Sequence, residues 1–284
     1  MDKDYRNRGK KDITIIVATH KEYRMPDDPM YLPLHVGAEG KTDPEGNPLD
    51  FGYAKDNTGD NISTLNPSFC ELTGLYWAWK NLVSDYIGIV HYRRHFGHRK
   101  SPDPFHNILA YHQIQPFLGK IKVFVPKKRR YFIESLYSHY KHTHYIEPMD
   151  ETRRIISDLY PDYLSCFDKV VHRTRGYMFN IMILDKEMLN EYCSWLFTIL
   201  FELQKRMEGN EIVQQFTEFQ SRFYGRIGEI IFNVWLERQM QTGRIKKDEI
   251  REIPIIHIGE INWWKKGNAF LKAKFTGKKY EASF

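Results

Sequence analysis

Short runs of continuous β-branched and aliphatic residues alternate along this chain with longer stretches of helical period. Ile13 to Ala18 is the first such run, unbroken and apolar, as expected for a strand buried on both faces. Ile87 to Val90 and Ile121 to Val125 repeat the pattern, as does Gly176 to Leu184. Ile253 to Ile258 is a last short strand, with Pro254 predicting an edge position. Between the strands, Phe69, Leu72, Tyr76 and Trp79 share one face of a helix that opens at Asn66-Pro67, with Asn66 as the expected N-cap. Residues 131–175 read as helical and irregular. Lys186 to Met207 reads as one long amphipathic helix, and Glu211 to Met240 as a second helical region broken at Gly225. Residues 24–61 carry Pro26, Pro29, Pro33, Pro44 and Pro48 and read as a long loop. Strands alternating with helices predict an α/β domain with a mostly parallel central sheet flanked by helices and a more helical C-terminal part. The predicted organisation is a flexible N-terminus over 1–12, one domain over 13–262 and a basic, aromatic tail over 263–284.

Composition narrows the class. The 284 residues are 42% hydrophobic and 15% aromatic, which suits a globular core and not a disordered chain. The formal charge of +6 is a modest excess that suits an anionic ligand or an anionic membrane surface. No zinc-finger or RNA-recognition motif accompanies it, so nucleic acid is not an expected partner. Cys70, Cys166 and Cys193 sit in apolar contexts without a C-x-x-C, as buried thiols in a reducing compartment do. The charged start lacks the apolar stretch of a signal peptide, and no run approaches the ~18 residues of a membrane span. A cytoplasmic protein is expected, peripheral on the inner face of the membrane if the tail with Trp263, Trp264, Lys265 and Lys266 engages anionic lipid. A disordered basic tail explains the same composition.

Ligands of open α/β sheets gather at the carboxyl ends of strands. Here those ends are cationic. Thr19, His20 and Lys21 follow the first strand, His91, Tyr92, Arg93 and Arg94 the second, and Lys127 to Arg130 the third. They form either one shared anion site or a solvated basic rim. Asp56 to Ser63 (D-N-T-G-D-N-I-S) is rich in groups that bond a ribose or a base, or is simply a turn entering a helix. Phosphate-cradling G-x-x-x-x-G-K-[ST] and G-x-G-x-x-G motifs are absent, as are H-E-x-x-H and G-x-S-x-G. His139, His142 and His144 lack matched metal ligands and read as surface histidines. Arg222, Arg226, Glu229 and Asn233 share one helical stripe, extended by Gln215 and Glu218. This is a solvated face laced by Glu218–Arg222 and Arg226–Glu229 pairs, or the polar wall of a site with Glu229 as base or sugar ligand.

The ordered motifs A-T-H-K, D-N-T-G-D-N-I-S, F-C-E-L-T-G-L-Y-W-A-W-K-N and Y-I-G-I-V-H-Y-R-R-H-F carry a resemblance. It continues through C-S-W-L-F-T-I-L-F-E-L and R-F-Y-G-R-I-G-E-I-I-F-N-V-W-L, over roughly residues 13–240. The chain resembles a bacterial family of unknown function found in capsular and exopolysaccharide gene clusters. Its members look like GT-A-type glycosyltransferases, some described as galactofuranosyltransferases. The family's N-M-F-I is matched at Asn180 and stays apolar through Ile183. Its S-E-R-L is matched at Glu229 without the following Arg.

The resemblance implies hexose transfer, galactose or galactofuranose, from a UDP-sugar donor to a saccharide acceptor on a lipid carrier. A non-catalytic nucleotide- or polyanion-binding module of a polysaccharide assembly complex is the alternative. It places His91-Tyr92-Arg93 where such enzymes carry a metal-binding Asp-x-Asp. Arg93 and Arg94 would then neutralise the donor diphosphate with no cofactor required. Mn2+ or Mg2+ enters only if His91 and His257 converge. By the same resemblance Thr19, His20, Lys21, Asp60, Asn61 and Ser63 meet the nucleotide, and Lys80 and Glu71 support the site from the helix. Asn180 and Arg226 meet acceptor or sugar, and Glu229, then Asp150, is the candidate base.

Overall fold

A computed structural model describes residues 11–259. The predicted tail over 263–284 and most of the predicted flexible start lie outside them. Lys11 and Asp12 do not hang free. Lys11 Nζ pairs with Asp85 at 2.6 Å, and the Asp12 amide donates to the same carboxylate.

In chain order the strands are β1 (Ile13–Thr19), β2 (Tyr31–His35), β3 (Ala54–Lys55), β4 (Tyr86–His91), β5 (Arg94–Phe96), β6 (Val123–Pro126), β7 (Arg129–Arg130), β8 (Arg175–Gly176), β9 (Met182–Asp185), β10 (Ile250–Ile253) and β11 (Ile255–His257). The α-helices are α1 (Asn66–Phe69), α2 (Leu72–Asn81), α3 (Tyr111–Ile114), α4 (Leu136–Thr143), α5 (Glu147–Leu159), α6 (Leu164–Val171), α7 (Lys186–Met207), α8 (Glu218–Ser221) and α9 (Phe223–Gln241). The main sheet runs β10-β6-β9-β4-β1-β2-β3, with β5 joining β4 to β11. β1 is parallel to β2 and β4, β2 to β3, and β6 to β10, so the expected α/β fold with a mostly parallel sheet is present. β1 and β4 are buried along nearly their whole length, which is why they read as continuous apolar runs. Helices α2, α7 and α9 cover one face over the larger apolar cluster, and a smaller cluster built on Val17, Phe96 and Phe124 covers the other.

Several local expectations change. The run Gly176 to Leu184 is not one strand. β8 pairs with β7, the chain turns through Phe179 and Asn180 with φ of 78° and 50°, and β9 then runs antiparallel between β4 and β6. Gly88 permits this close insertion, because a Cβ there would lie 2.6 Å from the Ile183 side chain. The reversal sets the turn before β9 beside the carboxyl end of β4. The long loop holds β2 and β3. Pro33 fits inside β2 because odd positions face β3, as the Asp56 amide bonded to His35 O shows, and β3 begins only opposite Leu34. Asn66 is not an N-cap. Its side chain donates to Cys70 O and Thr73 Oγ1 across a break at Cys70, whose φ is 55°. Gly225 lies inside α9, and the break falls earlier, at Arg222. The strand predicted over residues 253–258 is split by Pro254 between the end of β10 and β11, each of which pairs with one neighbour only, an edge position as predicted. His139 and His142 are not merely superficial, since both bond the buried Glu134 through Nδ1 at 2.9 and 2.6 Å. The three cysteines are free and buried.

One buried carboxylate organises the approach to the site. Asp56 is fully buried and accepts from the Gly37 and Ala38 amides and from the Ser63 and Thr73 hydroxyls. It ties the loops after β2 and β3 to the start of α2. Asp56→Ala strands four donors, and a loss of about 3 kcal/mol in unfolding free energy is expected by urea denaturation. An unchanged midpoint would show that water replaces the carboxylate freely.

Candidate active site

The antiparallel β9 brings together what the sequence keeps apart. His91 ends β4, Arg94 begins β5 and Arg129 begins β7. Phe179 and Asn180 form the turn before β9, Glu71 stands at the first turn of α2, and Glu229 projects from α9. Asn180 Nδ2 donates to Glu71 Oε1 at 2.6 Å and to Gly225 O at 3.0 Å, which locks the turn to both helices. The Phe179 backbone, left-handed at φ 78°, acts on both side chains, favouring the charged form of His91 and the charged form of Glu229 against their burial. Two guanidiniums flank the same ring, with Arg94 4.7 Å and Arg129 5.8 Å from the Phe179 centroid.

The electrostatics follow from burial. Glu229 keeps some accessible surface, yet burial and then the nearby Glu71 carboxylate push its carboxyl up to about 7, against the opposing pull of Arg129 and Arg94. Burial also lowers the His91 imidazole, with Arg94 adding to the effect and Glu71 opposing it. Arg94 is half-buried and its Nε has no partner among the described residues. The result is a carboxyl poised near neutrality beside fixed positive charge, which is what proton abstraction next to a developing anion requires.

Around this cluster lies an outer rim at the ends of β1 and β4. His20 and Tyr23 contact the Tyr92 ring edge-on at 5.5 and 4.8 Å, and Lys21 and Arg93 lie 5.7 and 5.2 Å from it. Arg93 is exposed. The His20 imidazole is lowered by burial and then by Lys21, Arg222 and Arg93. Thr19 is buried and bonds Lys21 O and N, so it shapes the turn and does not face the rim.

Other predicted residues sit elsewhere. Asp60 is held by Asn81 and Tyr76, and Asn61 caps its own turn, bonding Gly59 O and the Ser63 amide. Asn81 ends α2 and Glu71 begins it, a separation of roughly 15 Å along the axis. Lys80 shares that far end, 3.8 Å from Asp60. Ser63 is buried and serves Asp56. Asp150 on α5 accepts from Tyr137 of α4, and among the described residues no hydrogen bond or ion pair ties it to Glu229, His91 or Arg94. Arg226 is near Glu229 in charge but donates to Phe219 O at 2.6 Å and stacks on that ring. The expected Glu218–Arg222 and Arg226–Glu229 pairs do not form among the described residues. Arg222 bonds Cys70 Sγ instead, and Gln215 and Glu218 lie on separate short turns. His91 and His257 fall on one face, each in register with Arg94. They are two strand spacings apart, about 10 Å, with a guanidinium between, a poor fit for a shared cation. Among the described residues no group of three or more His, Cys, Asp or Glu side chains could hold a metal ion. Arg129 was visible in the sequence only as one of four cations, and the role of Phe179 depends on a left-handed turn that no motif announced.

This geometry sits on a fold of the glycosyltransferase class. The structure is similar to the WbbM bifunctional glycosyltransferase in its apo form, with a TM-score of 0.76 and 28% identity over 88% of this chain. It spans 46% of that protein, so about half of its length. The chain belongs to the family described as a domain of unknown function, DUF4422, whose model matches residues 14–240. No curated protein matches.

Proposed function

We propose that this chain transfers a hexose, galactose or galactofuranose, from a UDP-sugar to a saccharide acceptor in cell-surface polysaccharide synthesis. The observation that carries this reading is Glu229, a carboxyl held near 7 within reach of two guanidiniums at the strand ends. A non-catalytic polyanion-binding module has no use for a base so placed. The rim of His20, Lys21, Tyr92 and Arg93 takes the nucleotide, Arg93 and Arg94 take the diphosphate charge, and Glu229 accepts the proton of the acceptor hydroxyl. No metal is required, because the charge that a divalent ion would neutralise already faces Arg94. Mass-spectrometric detection of transfer or hydrolysis from a panel of UDP-sugars, with and without chelator, tests it. Nucleotide binding without turnover on any donor would favour the binding module.

The acceptor is proposed to be lipid-linked and met at the inner face of the membrane. No helix among the described residues is long and apolar enough to cross a membrane. However, Phe132 and Ile133 are 82% and 78% exposed, adjacent, and follow the basic run Lys127 to Arg130 with only Tyr131 between. An apolar tip beside cations suits an anionic bilayer surface. The F132S/I133S variant is expected to bind phosphatidylglycerol vesicles about 10-fold more weakly in co-sedimentation, with its Tm unchanged. Equal binding by the variant would assign any membrane contact elsewhere.

A further inference from the structure

Apart from the cluster around Glu229, a cavity of about 820 Å³ opens between α9, β10 and the β7–β8 ribbon. Tyr177 and Asn233 form part of its wall. Asn233 bonds both the N and the O of Tyr177 and, through Nδ2, Glu229 O, so the cavity and the Glu229 cluster share a partition. Its charge is unbalanced. Of the two carboxylates in the wall, Glu237 is occupied by Lys169 at 2.6 Å and Arg173 at 2.8 Å, and Glu252 accepts the Tyr177 hydroxyl at 2.9 Å. Lys128, Arg175 and Lys247 also line the cavity, and none makes an ion pair among the described residues. Lys128 lies 4.7 Å over the Tyr177 ring. The Lys128 ammonium is lowered by partial burial and, beyond that, by the crowding cations Arg175 and Arg173, with Glu252 opposing. Leu236 and Met240 give the cavity an apolar side.

We propose that this cavity binds the phosphate or diphosphate group of a phosphate-bearing saccharide. Three cations without an ion pair among the described residues call for a multiply charged anion, and a single carboxylate would leave most of that charge unmet. An 820 Å³ volume with an aromatic face and an apolar side accommodates a sugar attached to the anion. Lys128 precedes and Arg175 belongs to the β7–β8 ribbon, and the same ribbon leads in sequence into Phe132 and Ile133. That this saccharide is the acceptor rests on the transferase reading. Binding itself does not.

Isothermal titration of the full chain with inorganic pyrophosphate, in saturating UDP to occupy the nucleotide rim, tests the inference. Wild type is expected to bind with strong salt dependence, and K128Q/R175Q about 10-fold or more weakly, while R93A binds as wild type. Circular dichroism of K128Q/R175Q checks that these exposed changes leave the fold intact. Phosphatidylcholine vesicles carrying a polyprenyl diphosphate separate the sources. Tighter binding there assigns a lipid-borne group, and equal binding to a soluble sugar 1-phosphate assigns a free one. Undetectable binding, or binding lost in R93A and kept in K128Q/R175Q, overturns the proposal. Pyrophosphate binding that needs Lys128 and Arg175, in a protein that transfers from no UDP-sugar, would sink the transferase reading and leave the cavity site standing.

Discussion

Replacing Glu229 with glutamine is expected to lower kcat by about 10³-fold while leaving donor KM within a few-fold. The variant keeps the shape beside the Phe179 backbone and loses only the proton acceptor. In wild type, kcat/KM should rise with pH through about 7, as the Glu229 carboxyl deprotonates, and this acid limb should vanish in E229Q. Stability should move the other way. The ordinary value is 4.5 and the folded value about 7. Between these, the folded chain holds a proton that the unfolded chain gives up, so this group lowers stability as pH rises through that window. E229Q escapes the penalty. Its Tm should exceed that of wild type by ~2–5 °C at pH 8, and the gap should close toward pH 4.5. A variant that is dead and also less stable at pH 8 would mean that the carboxylate is a structural anchor and not a tuned base.

The second large effect is expected at Arg94. This guanidinium is half-buried over Phe179 and faces Glu229 from β5. R94A should lose about 10²- to 10³-fold in kcat, as removal of a donor to a developing anion does elsewhere. It should also shift the acid limb upward, because Arg94 is one of the cations that hold the Glu229 carboxyl down. R94K, which keeps charge without the planar fork, should recover only part of the rate. Arg93 is exposed on the rim, so R93A should raise donor KM more than it lowers kcat. If, as proposed, Arg93 and Arg94 meet the diphosphate charge, chelator should leave wild-type turnover within ~2-fold. Activity abolished by chelator and restored by manganese would return a metal to the site.

Much of the fold was legible from period and composition. β1 and β4 are apolar on both sides because both faces of the sheet are covered, one by α2, α7 and α9 and the other by the smaller cluster around Val17, Phe96 and Phe124, and that pattern is written residue by residue. The basic strand ends were equally visible. The missed strands are instructive. β2 contains Pro33, tolerable only because its imide faces outward beyond the end of a two-residue β3, a fact about a neighbour and not about Pro33. Asp60 and Asn61 were attractive by type, yet the Asp60 carboxylate is spent on Tyr76 of α2 and the Asn61 amide on its own turn. Residue type records what a group can bond and not which partner stands nearest.

The sequence by itself determined the α/β class, the cations at the strand ends and the stripe holding Arg226, Glu229 and Asn233. It did so because helix and strand periods are local, and because a charge or a carboxyl declares itself in one letter. Only the tertiary structure decided that β9 runs against its neighbours. That reversal sets Phe179 and Asn180 against His91, Glu71 and Glu229. It also decided that Glu229, beside Glu71, stands in this cluster, while Asp150 is bonded to Tyr137 outside it. A pKa depends on burial and on charges many residues away in sequence, and those distances exist only once the chain has folded.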